Sequence, residues 1–72
     1  MNEPFKVGET LKCLQYVERN DGRSHINVGD LVKVTQAFSF KHEGRDCQDI
    51  TVQRKDDMPI AVLVVPGRFE RA

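Results

Sequence analysis

Residues 26–40 read I-N-V-G-D-L-V-K-V-T-Q-A-F-S-F, and their reading decides the fold. Val28-Gly29-Asp30 has the chemistry of a tight turn, because glycine takes φ > 0 without steric cost and an aspartate side chain bonds nearby backbone. Beyond the turn, Val32, Val34 and Phe38 share one parity while Lys33 and Thr35 share the other. A period of two is that of a half-buried strand. The stretch predicts a strand over residues 31–40 with Val32, Val34 and Phe38 facing the core. Gln36 is then the only polar residue on the inner side.

The same phrase occurs once before. Val7-Gly8-Glu9-Thr10-Leu11-Lys12-Cys13-Leu14-Gln15 aligns without a gap on Val28-Gly29-Asp30-Leu31-Val32-Lys33-Val34-Thr35-Gln36, at an offset of 21 residues. One repetition makes no solenoid, which needs at least three units to bury a continuous core. It predicts two strands of similar build, each launched from a Val-Gly-acid turn. On this alignment Leu11, Cys13 and Val17 face inward, Lys12 and Lys33 face water, and Leu14 and Tyr16 are left outside.

A chain of 72 residues has room for one domain, and a domain of that size buries only about 60% of its unfolded surface. Residues 1–72 are read as a single domain, with residues 1–5 a flexible tail that becomes ordered near Phe5. The 11 basic and 11 acidic residues balance, whereas proteins that bind a phosphate backbone usually carry a basic surplus. No apolar run reaches the length of a membrane span, and M-N-E-P-F-K lacks the apolar core of a signal peptide. The expected location is the cytoplasm, with no membrane partner. Cys13 and Cys47 lack C-x-x-C spacing and are read as thiols in a reducing compartment, with a disulfide between them the alternative. With His25 and His42 they do not form the paired ligands of a structural zinc site. No metal or other cofactor is expected.

Along the chain, residues 10–17 form the first predicted strand, and residues 18–27 a polar loop with Asn20-Asp21-Gly22 as its turn. Residues 41–46 make the next turn. A third strand over 48–54 puts Ile50 and Val52 inward, and Asp56, Asp57 and Pro59 turn the chain again. Residues 60–65, I-A-V-L-V-V, are too short for a helix and β-branched enough for a strand. Pro66-Gly67-Arg68 ends it, and Phe69 returns to the core on a short last strand. No segment has a helical period over ten residues, so the expected class is all-β. Four or five short antiparallel strands leave open edges that closure into a barrel removes. A small SH3-like β-barrel of about five strands is the economical architecture, with an OB-like barrel the runner-up.

F-K-V-G-E near the start, I-N-V-G-D-L-V-K-V in the middle and G-R-F-E at the end resemble small uncharacterised phage and prophage proteins of SH3-like type. The resemblance covers most of the chain and implies the fold and a viral origin, but no activity. V-G-D-L-V-K-V is also similar to barrels of the KOW type that accompany ribosomes and polymerases. Peptide-binding SH3 domains share the Gly-Asp turn, but polyproline recognition needs an aromatic groove. With no tryptophan and Tyr16 as the single tyrosine, proline-rich ligands are rejected.

Catalysis needs a nucleophile in reach of an oriented base, usually in a pocket, and no catalytic phrase occurs in the sequence. The chain is read as a binding module, not an enzyme, with no small-molecule substrate. Two kinds of partner are weighed. The first is a protein, either a host protein modulated or inhibited by a phage-encoded chain, or a second copy in a homodimer. In residues 60–65 only one parity, either Ile60, Val62 and Val64 or Ala61, Leu63 and Val65, faces the core, and Leu14, Tyr16, Ile60, Val62 and Val64 are the candidate contact residues. The second is nucleic acid, through Arg19, Arg23, Lys41, Arg45, Arg54, Lys55, Arg68 and Arg71 converging at one end of a barrel, with Phe40 as a stacking platform.

Overall fold

The computed structural model describes residues 4–18 and 25–72. The strands are β1 (Thr10–Cys13), β2 (Val17–Glu18), β3 (His25–Ile26), β4 (Leu31–His42), β5 (Arg45–Gln53), β6 (Ile60–Leu63) and β7 (Phe69–Arg71). The described residues are all-β, and no helix among them is long and apolar enough to cross a membrane. Five strands pair antiparallel in the order β6-β5-β4-β1-β7, and β2 pairs with β3 in a separate hairpin. The sheet does not close on itself, because β6 and β7 are its two edges.

The 21-residue echo becomes a local two-fold. β1 and β4 run antiparallel with Leu11 opposite Val32, the two residues that the alignment superposes. Around that pair the hydrogen bonds come in matched sets. The Gly8 amide donates to Val34 O and the Gly29 amide to Cys13 O, both at 2.8 Å. The Cys13 amide donates to Asp30 O and the Val34 amide to Glu9 O, both at 2.9 Å. Within each turn the acid's side chain accepts from the amide three residues back, Lys6 to Glu9 at 2.8 Å and Asn27 to Asp30 at 2.9 Å. Each turn needs a residue at φ near +95°, which Gly8 (95°) and Gly29 (94°) supply and a side chain would resist. Val-Gly-acid is thus one device used twice, and each copy completes the other.

Leu11, Cys13, Val17, Ile26, Val32, Val34, Ile50, Val52, Ile60, Val62 and Phe69 form the core. Each Val, Leu, Ile or Phe so buried contributes about 1.5–3 kcal/mol relative to exposure. The inward residues expected for the first strand are in place. However, the strand ends at Cys13 and does not run to Val17, because the Leu14 amide turns aside to Arg68 O (2.8 Å) and the Cys13 thiol donates to Gln15 O (2.7 Å). Phe5 is docked on the core edge. Its amide donates to Gln48 Oε1 (3.0 Å) and its carbonyl accepts from Gln48 Nε2 (2.7 Å), so a buried glutamine side chain replaces a strand rung.

Between Val34 and Gln36 the register of β4 against β5 slips by one residue. Val34 faces Val52 and Gln36 faces Thr51, which leaves Thr35 without an opposite number. Such a bulge bends its strand and reverses the side-chain alternation beyond it. The bend therefore falls within β4, at Thr35. The Thr35 hydroxyl donates to Thr51 O (3.2 Å), pinning the bulge to β5.

The reversal corrects the sequence reading. Val32 and Val34 are buried as expected, but Phe38 is 65% exposed and Gln36 lies on the outer side. The turn at 41–46 is also tighter than expected. His42 pairs with Arg45 across a two-residue turn in which Glu43 (φ 52°) and Gly44 (φ 76°) are both left-handed, the hairpin turn that matches strand twist.

Candidate binding surface

The bulge turns Gln36, Phe38 and Phe40 to the outside of the sheet. Cross-strand register then builds rows on that face. Phe38 lies beside Asp49, and Asp49 beside Leu63; Gln36 lies beside Thr51, and Thr51 beside Ala61. Phe38 stacks on Phe40 with ring centroids 5.9 Å apart and planes 20° apart. Leu63 is 45% exposed. With exposed Val7 at the rim, Gln36, Phe38, Thr51, Ala61 and Leu63 line a shallow depression of about 680 Å³. An outer strand face of this kind is ordinarily polar, and a two-ring apolar pair on it is the chemistry of a contact surface.

Around the end of the hairpin lies a second, more apolar groove of about 680 Å³, with Phe5, Phe40, Cys47, Val64, Pro66 and Phe69 among its lining. Phe40 is half-buried and belongs to this groove while its ring stacks on Phe38. The two depressions thus share one aromatic pair.

The expected protein-contact residues do not gather on this face. Ile60 and Val62 are core residues at 4% and 8% exposure, because the parity of β6 that faces β5's Ile50 and Val52 is the even one. Ala61 and Leu63 are the outward pair. Val64 is half-buried against the core, and Leu14 is half-buried. Tyr16 is exposed, but it stacks on His25 (5.9 Å, 24°) beside the β2–β3 hairpin and takes no part in the β4–β5–β6 face.

The basic candidates do not converge. Arg45 opens β5 and Lys55 follows its far end, about 30 Å away along the chain direction. Arg54 is taken up by Asp30 and Asp57, each at 2.7 Å. Arg71 Nε donates to Glu9 Oε2 (2.7 Å), and its guanidinium lies 4.9 Å from the centre of the Phe5 ring. Arg68 Nη1 donates to Leu63 O (2.8 Å). Lys41 stands opposite Asp46 at the exposed hairpin tip. Arg19 and Arg23 lie outside the described residues. Three of the candidate arginines therefore hold the fold together.

These pairs also set the local electrostatics. The Asn27 amide and then the Arg54 guanidinium hold the Asp30 carboxyl below its ordinary range. For Glu9 burial acts upward, but the Lys6 amide and Arg71 outweigh it and the net direction is down. Asp30 and Asp57 raise Arg54 in return. Burial pushes the Cys13 thiol up. Cys13 and Cys47 are both free thiols, one in the core and one half-exposed. His42 sits 4.0 Å from Glu43 on the hairpin turn. Among the described residues no three His, Cys, Asp or Glu side chains are grouped to hold a metal ion.

The sequence contained one signal for the outward aromatic face, the spacing of Phe38 and Phe40, whose shared parity makes them neighbours on whichever side they fall. Comparison of the chain with protein-family models, with curated proteins and with solved structures finds no match.

Proposed function

We propose that this chain is a non-enzymatic binding domain of SH3-like type that engages a protein through the outer face of β4, β5 and β6. The observation that carries the reading is the Phe38 ring, 65% exposed and backed by Phe40 on one side and Leu63 beyond Asp49. Rigid aromatic side chains on a strand have little entropy to lose on association and dominate contact energetics. The SH3-like assignment is supported by the order β6-β5-β4-β1-β7, with the β2–β3 hairpin inserted between the first two strands of the sheet. The resemblance to small phage proteins makes the partner a protein of a bacterial host, modulated or inhibited in its cytoplasm.

The test is capture of partners from bacterial lysate by immobilised wild-type chain and by Phe38→Ser, with nuclease present, read by mass spectrometry. The reading expects one dominant protein that survives nuclease and binds Phe38→Ser at least about tenfold more weakly, a loss of ~1.4 kcal/mol. Retention unchanged by the substitution overturns the assigned face. Loss of every partner with the nucleic acid moves the site to Lys41, Arg45 and the stacked rings, since bases stack on aromatic platforms between basic side chains.

A further inference from the structure

β6 is an edge of the sheet, and although it is short, Ile60-Ala61-Val62-Leu63 carries no charge, no proline and no bulge to guard it against edge pairing. Only one side of its backbone is spent. The Val64 amide donates to Gln48 O (2.8 Å), which continues the register in which Val62 faces Ile50. Antiparallel ladders alternate, so the amide and carbonyl groups of Ile60 and Val62 point to β5 and those of Ala61 and Leu63 point away. Among the described residues these four outward groups meet one partner, Arg68 Nη1 on Leu63 O.

We propose that β6 pairs antiparallel with β6 of a second copy of this chain about a two-fold axis at Val62. Three features make the edge complementary to itself. Ala61 and Leu63 are equidistant from Val62, so Ala61 of each chain exchanges both hydrogen bonds with Leu63 of the other, four bonds in all. On the outer face those pairings set a small side chain beside a large, 45% exposed one, and cover Leu63 without crowding. The nearest charges along the chain are Asp56 and Asp57 before the strand, with Arg54 paired to Asp57, and Arg68 after it. Antiparallel pairing turns the acidic end of each β6 toward the basic end of the other. Leu63 O has two lone pairs and keeps Arg68 while accepting from the second chain. The product is one continuous sheet with five strands from each copy, in which the two Phe38 faces lie on the same surface. This pairing uses the strand edge and not the Phe38 ring, and stands whether or not the outer face binds a host protein.

The experiment is the molar mass of the intact chain by light scattering over a concentration series, for wild type, Ala61→Pro, Leu63→Lys and Phe38→Ser. Ala61→Pro deletes an amide that points away from β5, so the β5 ladder is kept while the new pairing is blocked. Leu63→Lys alters an exposed side chain and leaves the backbone alone. Wild type and Phe38→Ser are expected at twice the 8.2 kDa chain mass at high micromolar concentration. Leu63→Lys is expected to dissociate at concentrations at least about tenfold higher than wild type, and Ala61→Pro to be monomeric. A wild type that stays at the chain mass overturns the proposal, and so does a Leu63→Lys dimer as tight as wild type.

Discussion

Residues 31–34 and 36–42 belong to the same strand, yet they face opposite ways. Before Thr35, the even-numbered Val32 and Val34 are buried between β1 and β5; after it, the even-numbered Phe38 is 65% exposed. The difference owes nothing to residue type, since a phenylalanine is more apolar than a valine. It follows from a single residue without an opposite number, because a one-residue slip moves every later side chain to the other face. The first half of β4 makes the fold, and the second half offers an apolar surface that the fold does not use.

Removing Thr35 would break that comparison most severely. Without the extra residue the two registers close into one continuous ladder, and what is lost is the bend of β4 and the Thr35 hydroxyl bond to Thr51 O. The expected loss from straightening the strand is about 3–4 kcal/mol, a large share of the stability of a domain of this size, whereas Thr35→Ser keeps the bulge and the hydroxyl. Denaturant unfolding monitored by circular dichroism separates the two. A folded deletion variant with wild-type stability would mean that the slip is not needed.

A gentler contrast places one substitution on both sides of the bulge. Val34→Ser removes buried methyl groups and leaves a hydroxyl in the core, at an expected cost of about 2–4 kcal/mol. Phe38→Ser, at an exposed site, should change stability by no more than about 0.5 kcal/mol. Urea midpoints measured side by side give the answer. Equal losses would place both residues in the core.

The acid turns supply the smallest effect. The folded-state pKa of Asp30 lies below its ordinary 3.8, so its contribution is present above that value and is lost as pH falls through the depressed one. Asp30→Asn should therefore flatten the acid limb of the melting temperature below about pH 5 while leaving the neutral region nearly level. Its Glu9 counterpart, lowered in the same sense, keeps part of the limb in place. An unchanged limb would mean that the Asn27 amide and Arg54 do not hold the Asp30 carboxylate in solution.

Much of this architecture was legible in the residues. Leu11, Cys13, Val32 and Val34 announced their burial by alternation, and the two Val-Gly-acid phrases announced two turns. Their mutual completion about Leu11 and Val32 was implicit in an ungapped alignment. The bulge was not legible. Thr35-Gln36 lacks the glycine that often marks such sites, and a strict alternation carried through it assigned Phe38 to the core. The parity of β6 was undecidable for a related reason, since I-A-V-L-V-V is apolar on both sides and only the pairing of Val62 with Ile50 chooses between them. The roles of Arg54, Arg68 and Arg71 depend on contacts with Asp30, Leu63 and Glu9 that alternation and local spacing do not report. Residues that read as a basic surface are in fact struts.

Solvent exposure of the Phe38 ring tests the central claim most directly. Paramagnetic broadening by a soluble gadolinium chelate, read on ring and methyl protons by NMR, compares Phe38 with exposed Val7 and buried Val34 in one sample. Phe38 is expected to broaden as strongly as Val7 while Val34 stays sharp. A Phe38 ring as protected as Val34 in the monomer would contradict the bulge, and with it the surface built on its far side.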